Sequence, residues 1–370
     1  MTLGPFEARM ADTSLPETTP ARTDSVLDEL LAEGVEAGIF TGAAAAVGTS
    51  RGIERRMTAG TCDPETEAPI TRATLFDAAS TTKAVVTATV VLRLVEEGVL
   101  ALSAPLEAYV PPLGDTERGR LSLRHLMTHT SGLQPYYYDP DWDGAETARE
   151  AIYDAELMEA NPGERFAYSC LNFVHLADAA RRATDSTLEA LAGRFVFEPA
   201  GMDAARIGPV GDDVPLAATY EREHADRALA GEIHDPIARA LGGESGNAGL
   251  FTTATDLGRF AATLLSDGRR DTDEPRLLAP GTINRMCENW TSEFDRPHGL
   301  GWRFARECYP APNWSRDSFG HTGYTGTSVW LDPTADRFAV LLTNEVYCGK
   351  EAGMARFRER FHGAVASERY

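Results

Sequence analysis

Strand-like segments occur at both ends of this chain and not in its middle, and that arrangement limits the folds open to it. Near the N-terminus, TGAAAAVGTS and GIERRMTAGT flank a turn at Arg51-Gly52. They read as a hairpin whose first strand is small and wholly buried. Past residue 298 come HGLGWRFAREC, SFGHTG, TGTSVWLDP and DRFAVLLTNE, the last two split by the turn signal Asp332-Pro333. Between these groups the patterns are helical. STLEALAGRFVF opens with a capping box of Ser186 and Glu189, and TATDLGRFAATLL repeats Leu257, Phe260, Ala261 and Leu264 at helical spacing. Residues 24–37 put Val26, Leu27, Leu30, Leu31 and Val35 on one helical face, and EAGMARFRERFHGAVA reads as a closing helix. The expected fold is α+β: one antiparallel sheet assembled from both termini, flanked by N- and C-terminal helices, with an inserted mainly helical region beside it. Its limits are a sheet subdomain over 23–103 and 295–370, a helical subdomain over 104–294, and a disordered tail over 1–22, with Met10 a candidate start.

Charge narrows the partners. Lys+Arg 35 against Asp+Glu 56 leaves −21, so the basic footprint that nucleic acid or an anionic membrane requires is missing. No stretch nears the ~20 apolar residues of a bilayer span, and the first residues lack the apolar core of a signal peptide. Cys62, Cys170, Cys287, Cys308 and Cys348 share no Cys-x-x-Cys spacing. Neither a zinc knuckle nor a disulfide framework is signalled, and a reducing, cytoplasmic setting is expected.

Ser80-Thr81-Thr82-Lys83 is the tetrapeptide richest in chemistry. At the opening of the helical run AASTTKAVVTATVVLRLVEEGVL, positions i and i+3 share a face, so hydroxyl and amine can touch. A serine hydroxyl is a poor nucleophile until a neighbouring base takes its proton. A lysine desolvated in a cleft can have its pKa lowered enough to serve. Taken alone, the spacing is weak. His125 and His129 stand four apart, but Leu126 follows the first where a metalloprotease needs Glu, and no metal is expected. His224, His234 and Asp235 read as a solvated loop. Tyr136, Tyr137, Tyr138 and Trp142 either line a pocket or cap the inserted region.

Other segments strengthen the tetrapeptide. LFDAASTTKAVVTATVVLRLVEEGVL, LSLRHLMTHTSGL, PGERFAYSC, GGESGNAGLFTTATDL and FGHTGYTGTSVWLDP together resemble, in family order, the class C β-lactamase and D-alanyl-D-alanine peptidase superfamily of penicillin-recognising serine hydrolases. The resemblance implies a β-lactamase/transpeptidase-like fold that works without a cofactor. It implies Ser80 as the acylated nucleophile, with Lys83 and Tyr168 holding or accepting its proton. It places the oxyanion donors at the backbone N–H groups of Ser80 and Tyr324, beside His321, Thr322 and Gly323. Two departures stand out. Cys170 occupies the place of the Asn in the family's Tyr-x-Asn, and a thiol accepts and donates poorly. His321 stands where β-lactamases usually carry lysine, and a mostly neutral imidazole grips a carboxylate less firmly.

Both departures point toward the family's esterase-like members. The expected activity is therefore carboxylesterase action on small esters, with the small-molecule ester, amide or lactam as the only partner implied. D-amino-acid peptidase, amidase or β-lactamase activity is the alternative, and a catalytically weak ligand-binding or sensor protein is the rival from another class. Lys83 and Lys350 are the only lysines, and acid surplus with scarce lysine suits a halophilic source, where salt screens charge strongly. An acidic mesophile of GC-rich coding would show the same composition. On the halophilic reading, thermal melts across a salt series should give a Tm that climbs toward molar salt; greatest stability in dilute buffer would count against it.

Overall fold

A computed structural model of the chain describes residues 26–368 apart from 224, 225, 271–274, 307, 308 and 351. The expected tail, His224 and Cys308 lie outside the described residues. The main sheet has six strands: β1 (Gly42–Thr49), β2 (Gly52–Gly60), β3 (Arg303–Phe304), β4 (Phe319–Thr322), β5 (Ser328–Asp332) and β6 (Arg337–Thr343). Their order is β2-β1-β6-β5-β4-β3, antiparallel throughout, so the two ends of the chain meet where β1 pairs with β6.

The sheet is covered on both faces, and the central strands show why their sequences are apolar at every position. Ala43, Ala45 and Val47 of β1, Trp330 of β5 and Ala339 and Leu341 of β6 face helices α1 (Val26–Glu36) and α5 (Met354–Ser367). Their opposite neighbours Ala44, Ala46, Val329, Leu331, Val340 and Leu342 face the helical region. The run of alanines lets the layers approach closely. A Cβ on Gly258 of helix α4 (Ala254–Leu265) would come within 2.9 Å of Ile53 and 3.3 Å of the Ala46 Cβ. The terminal helices close their face with Leu27, Leu31, Phe357 and Phe361, and the rings of Phe40 and Phe357 meet edge to face at 5.0 Å.

Three local expectations shift. Val26 begins α1 and is 56% exposed, outside the buried face of Leu27, Leu30 and Leu31. Helix α3 (Leu188–Ala192) is capped by Thr187, whose Oγ1 accepts from the Ala190 N–H at 3.1 Å, and not by Ser186, because Thr187 is the extended residue at the boundary. The long run after Ser80 opens as a π-helical stretch, Lys83–Ala88, before helix α2 (Thr89–Glu96). It ends, as its sequence suggests, at Gly98 with φ +71°.

Buried Asn344, just past β6, ties the seam between the ends of the chain. Its Oδ1 accepts from the N–H groups of Thr41 (3.1 Å) and Gly42 (2.9 Å). Its Nδ2 donates to Thr41 Oγ1 (2.6 Å) and to Ala218 O (3.0 Å) in the inserted region. Asn344→Ala strands these groups in a dry environment and should lower the unfolding free energy by about 2–4 kcal/mol. Urea denaturation measures this, and a change under about 0.5 kcal/mol would remove the role.

Candidate active site

Ser80 follows a short strand, Phe76–Asp77, that pairs with Leu250–Thr252. Asp77 holds the turn: Oδ1 accepts from the Ala79 N–H and Oδ2 from the His234 N–H, both at 2.8 Å. Ala79 sits at φ +47°, an uncommon conformation for a residue with a Cβ, and turns the chain so that Ser80 borders the cavity. Thr81 Oγ1 donates to Ala78 O (2.8 Å) and Thr82 Oγ1 to Ala79 O (2.6 Å), fixing the first helical turn. Lys83 is fully buried; its Nζ donates to Ser80 Oγ at 3.0 Å and to Asn247 O at 2.8 Å.

Tyr168 completes the cluster. The lysine Nζ is 5.2 Å from the centroid of its ring. The HTSG turn explains how the tyrosine is placed. His129 O accepts from the Ala167 N–H (2.9 Å), Pro135 O from the Cys170 N–H (2.9 Å), and His129 Nδ1 from the Ser169 N–H (3.2 Å). Asn172 Nδ2 contacts the same Nδ1 at 2.9 Å and its Oδ1 accepts from Ser131 Oγ at 2.6 Å. The His129 ring then backs the Tyr168 ring, centroids 4.4 Å apart. His129 is thus a support for Tyr168. Among the described residues no three His, Cys, Asp or Glu side chains converge as metal ligands would.

Electrostatics here depart from the expectation for Lys83. Burial pushes its ammonium down, but the anionic forms of Cys170 and Tyr168 and the Asp235 carboxylate pull the other way, and the net direction is upward. The amine therefore holds its proton at neutral pH. Burial raises Cys170 in turn, with Lys83 opposing, so it is a neutral thiol facing Lys83 and Asn247. The backbone carbonyl of Asn247 takes the lysine hydrogen bond that an amide at position 170 could accept.

On the sheet side, His321 is buried, its Nδ1 donating to Thr322 O at 2.9 Å and its ring 6.2 Å from that of Tyr168. Burial, then Arg303 and Lys83, hold its pKa well below the ordinary value, leaving a neutral imidazole. The cation in this corner is Arg303, which sequence reasoning missed. It lies opposite Gly320 across the β3–β4 pair, donates to Thr322 Oγ1 at 3.2 Å, and stands 4.9 Å from the Tyr168 ring. No local pattern marks it, since only the pairing of β3 with β4 brings it to the site.

Gly323 leads into a loop pressed against the serine segment. A Cβ there would lie 2.5 Å from Ala78 O and 2.1 Å from Thr327 Oγ1, so close approach demands glycine. Thr325 Oγ1 donates to Asp77 O (2.7 Å) and Thr327 Oγ1 to Ala78 O (3.0 Å), riveting the loop to the strand before Ser80. The N–H groups of Ser80 and Tyr324 have no acceptor among the described residues. Both residues border a cavity of about 480 Å³ with Tyr136, Tyr168, Cys170 and Asp235.

Two expectations change at that cavity. His234 and Asp235 line it, and are not a solvated loop. Asp235 Oδ1 accepts from the Ala238 N–H (2.9 Å) and from Asn247 Nδ2 (3.0 Å), which holds the carboxylate at the wall. The aromatic run splits: Tyr136 lines the cavity, whereas Tyr137 and Tyr138 pack on Trp142 at 5.6 and 5.4 Å. Lys350 stands at the rim, its Nζ bonded to Glu345 Oε2 (2.8 Å) and Tyr324 O (2.6 Å).

A serine bonded to a buried lysine, a tyrosine at the amine and two open N–H groups define the site of an acyl-transferring serine hydrolase. The β-lactamase family model matches residues 27–363; the chain belongs to that family and is a serine hydrolase of the β-lactamase and penicillin-binding-protein type. It is 27% identical over 307 residues to an Escherichia coli K12 protein provisionally named a D-alanyl-D-alanine carboxypeptidase, covering 74% of this chain and 70% of that one. Its fold is similar to EstCE1, a hydrolase with promiscuous acyltransferase activity (TM-score 0.74, 22% identity, 92% of this chain and 97% of the other). It is also similar to the simvastatin synthase LovD of Aspergillus terreus (TM-score 0.73, 19% identity, 92% and 97%).

Buried neutral histidines give the molecule an acid limit. Burial holds His175, His298 and His362 down to about 3, and His129 and His321 well below their ordinary value. In the unfolded chain each titrates near 6.5, so below that pH the unfolded state binds more protons. Their stabilisation is complete above about pH 6.5 and is lost as pH falls toward 3, by about 1.4 kcal/mol per unit for each group. Urea midpoints should be level from pH 8 to 7 and drop steeply below 6.5; midpoints unchanged down to pH 4.5 would contradict this burial.

Proposed function

We propose that the chain forms an acyl-enzyme on Ser80 and hydrolyses small carboxylic esters. The observation that carries the reading is the 3.0 Å contact between Lys83 Nζ and Ser80 Oγ, beside two N–H groups open to the same cavity. Because Lys83 keeps its proton, we assign the base to the Tyr168 oxygen, acting as a phenolate beside the ammonium. Ser80 Oγ attacks the ester carbonyl while its proton passes to Tyr168, and the Ser80 and Tyr324 N–H groups hold the oxyanion. Collapse expels the alkoxide, which takes the proton from Tyr168. Water then repeats the sequence: it gives a proton to Tyr168 and attacks the acyl carbon, and Ser80 leaves with that proton.

Cys170 supports esters over amides. Asn247 O replaces the family asparagine as a partner for Lys83, but nothing at position 170 replaces the amide N–H that would meet a substrate amide. The leaving group must lie toward its proton donor Tyr168, so the acyl group occupies the Tyr136–Asp235 side, where a carboxylate wall disfavours anionic acyl groups. Arg303 favours a second reading, cleavage of D-amino-acid peptides or amides. Its guanidinium has no carboxylate within ion-pairing distance among the described residues and stands on the leaving-group side, where a terminal carboxylate would lie. The provisional name of the Escherichia coli relative agrees with that reading.

A fluorophosphonate probe should label the protein stoichiometrically, and Ser80→Ala should abolish labelling and lower ester turnover by about 10³-fold or more. An unlabelled parent would refute the acyl-enzyme. p-Nitrophenyl butyrate should be turned over faster than a D-alanyl-D-alanine peptide or a chromogenic cephalosporin. A peptide cleaved faster would move the assignment to the second reading, and a faster cephalosporin to β-lactam hydrolysis.

A further inference from the structure

Helix α5 belongs to the face of the sheet away from the inserted region, yet one of its side chains reaches the loop that borders Ser80. Arg358 Nη2 donates to Gly323 O at 3.0 Å and to Thr327 O at 3.3 Å, and Nε donates to Gly326 O at 3.0 Å. The guanidinium thus gathers three carbonyls of a single five-residue loop. No carboxylate lies within ion-pairing distance of it among the described residues. Burial pushes the group below its ordinary value, only partly offset by Tyr309 and Glu345. An arginine kept largely from water without a counter-ion is costly, and here the return is confined to the loop.

Gly323 C=O and Tyr324 N–H belong to the same peptide group. A cation on the oxygen draws electron density from the amide and strengthens the N–H as a donor, since linked hydrogen bonds polarise one another. That N–H has no acceptor among the described residues and borders the cavity. We propose that Arg358 is a positioning residue for the oxyanion hole, orienting and polarising the Gly323–Tyr324 peptide from behind without touching substrate. The inference rests on the reading that Tyr324 N–H receives the oxyanion.

Other contacts allow this role to be separated from simple stapling. Without Arg358 the loop keeps Thr325 on Asp77, Thr327 on Ala78 and Lys350 on Tyr324 O. Helix α5 keeps Phe357 and Phe361 in the core. Arg358→Met should therefore leave Tm and the fraction labelled by fluorophosphonate near the parent's. Ester kcat per labelled site should fall by about 10–100-fold, less than the ~10²–10³ for deleting a donor outright, with KM within about twofold. The inhibition constant of phenylboronic acid, which adds to the serine as a tetrahedral anion, should rise by a similar factor. Arg358→Lys, which keeps the charge but not the fork, should recover part of both losses, and it carries the test if the methionine variant fails to fold. Unchanged kcat and boronate inhibition per labelled site, or losses matched by KM alone, would overturn the role of Arg358 while leaving the acyl-enzyme intact. A parent that takes no label would instead remove the reading on which it rests.

Discussion

An ammonium group fully withdrawn from water is the constraint around which this site is arranged. Lys83 has no exposed surface, and an isolated cation so placed would cost several kcal/mol or lose its proton. It does neither, because Ser80 Oγ and Asn247 O accept from it and Tyr168, Cys170 and Asp235 surround it with groups that favour charge. Those partners come from several separate parts of the chain, so holding the lysine charged also fixes the glycine-rich edge, the Tyr168 segment and the Ser80 turn relative to one another.

The surrounding fold reads as a way of bringing three backbone segments to that amine. The serine segment is pinned by Asp77, the tyrosine segment by the HTSG turn, and the 323–327 loop by threonines on the carbonyls of Asp77 and Ala78. These anchors are short and reach backbone atoms, so the geometry depends little on exposed side chains. The alanine-rich β1 has a comparable effect at larger scale, since small side chains on both of its faces let two helical layers close on one sheet.

Much of this was legible in the residues because the relevant signals are local. Alternation and turn residues mark the hairpin and the last strands, helical spacing marks α4 and α5, and Ser80, Lys83, Tyr168 and His321 sit in motifs whose order is itself informative. What escaped depends on contacts between distant segments. Arg303 matters only because β3 pairs with β4, Asp235 only because Asn247 turns it to the cavity wall, and Asn247 contributes through a backbone carbonyl that no side-chain pattern can mark. The expected drop in the lysine pKa failed for the same reason. Desolvation is foreseeable from burial, but the groups that oppose it, Cys170, Tyr168 and Asp235, come from distant positions in the chain.

Lysine is nearly absent from this chain, and its two copies have opposite surroundings. Lys83 is sealed inside, whereas Lys350 stands at the rim with 40% of its side chain open. Chemistry directed at side-chain amines, whether a fluorescent dye, a crosslinker or a resin, is thereby steered to the entrance. Immobilisation through that amine would present the molecule in a single orientation with its mouth toward the support.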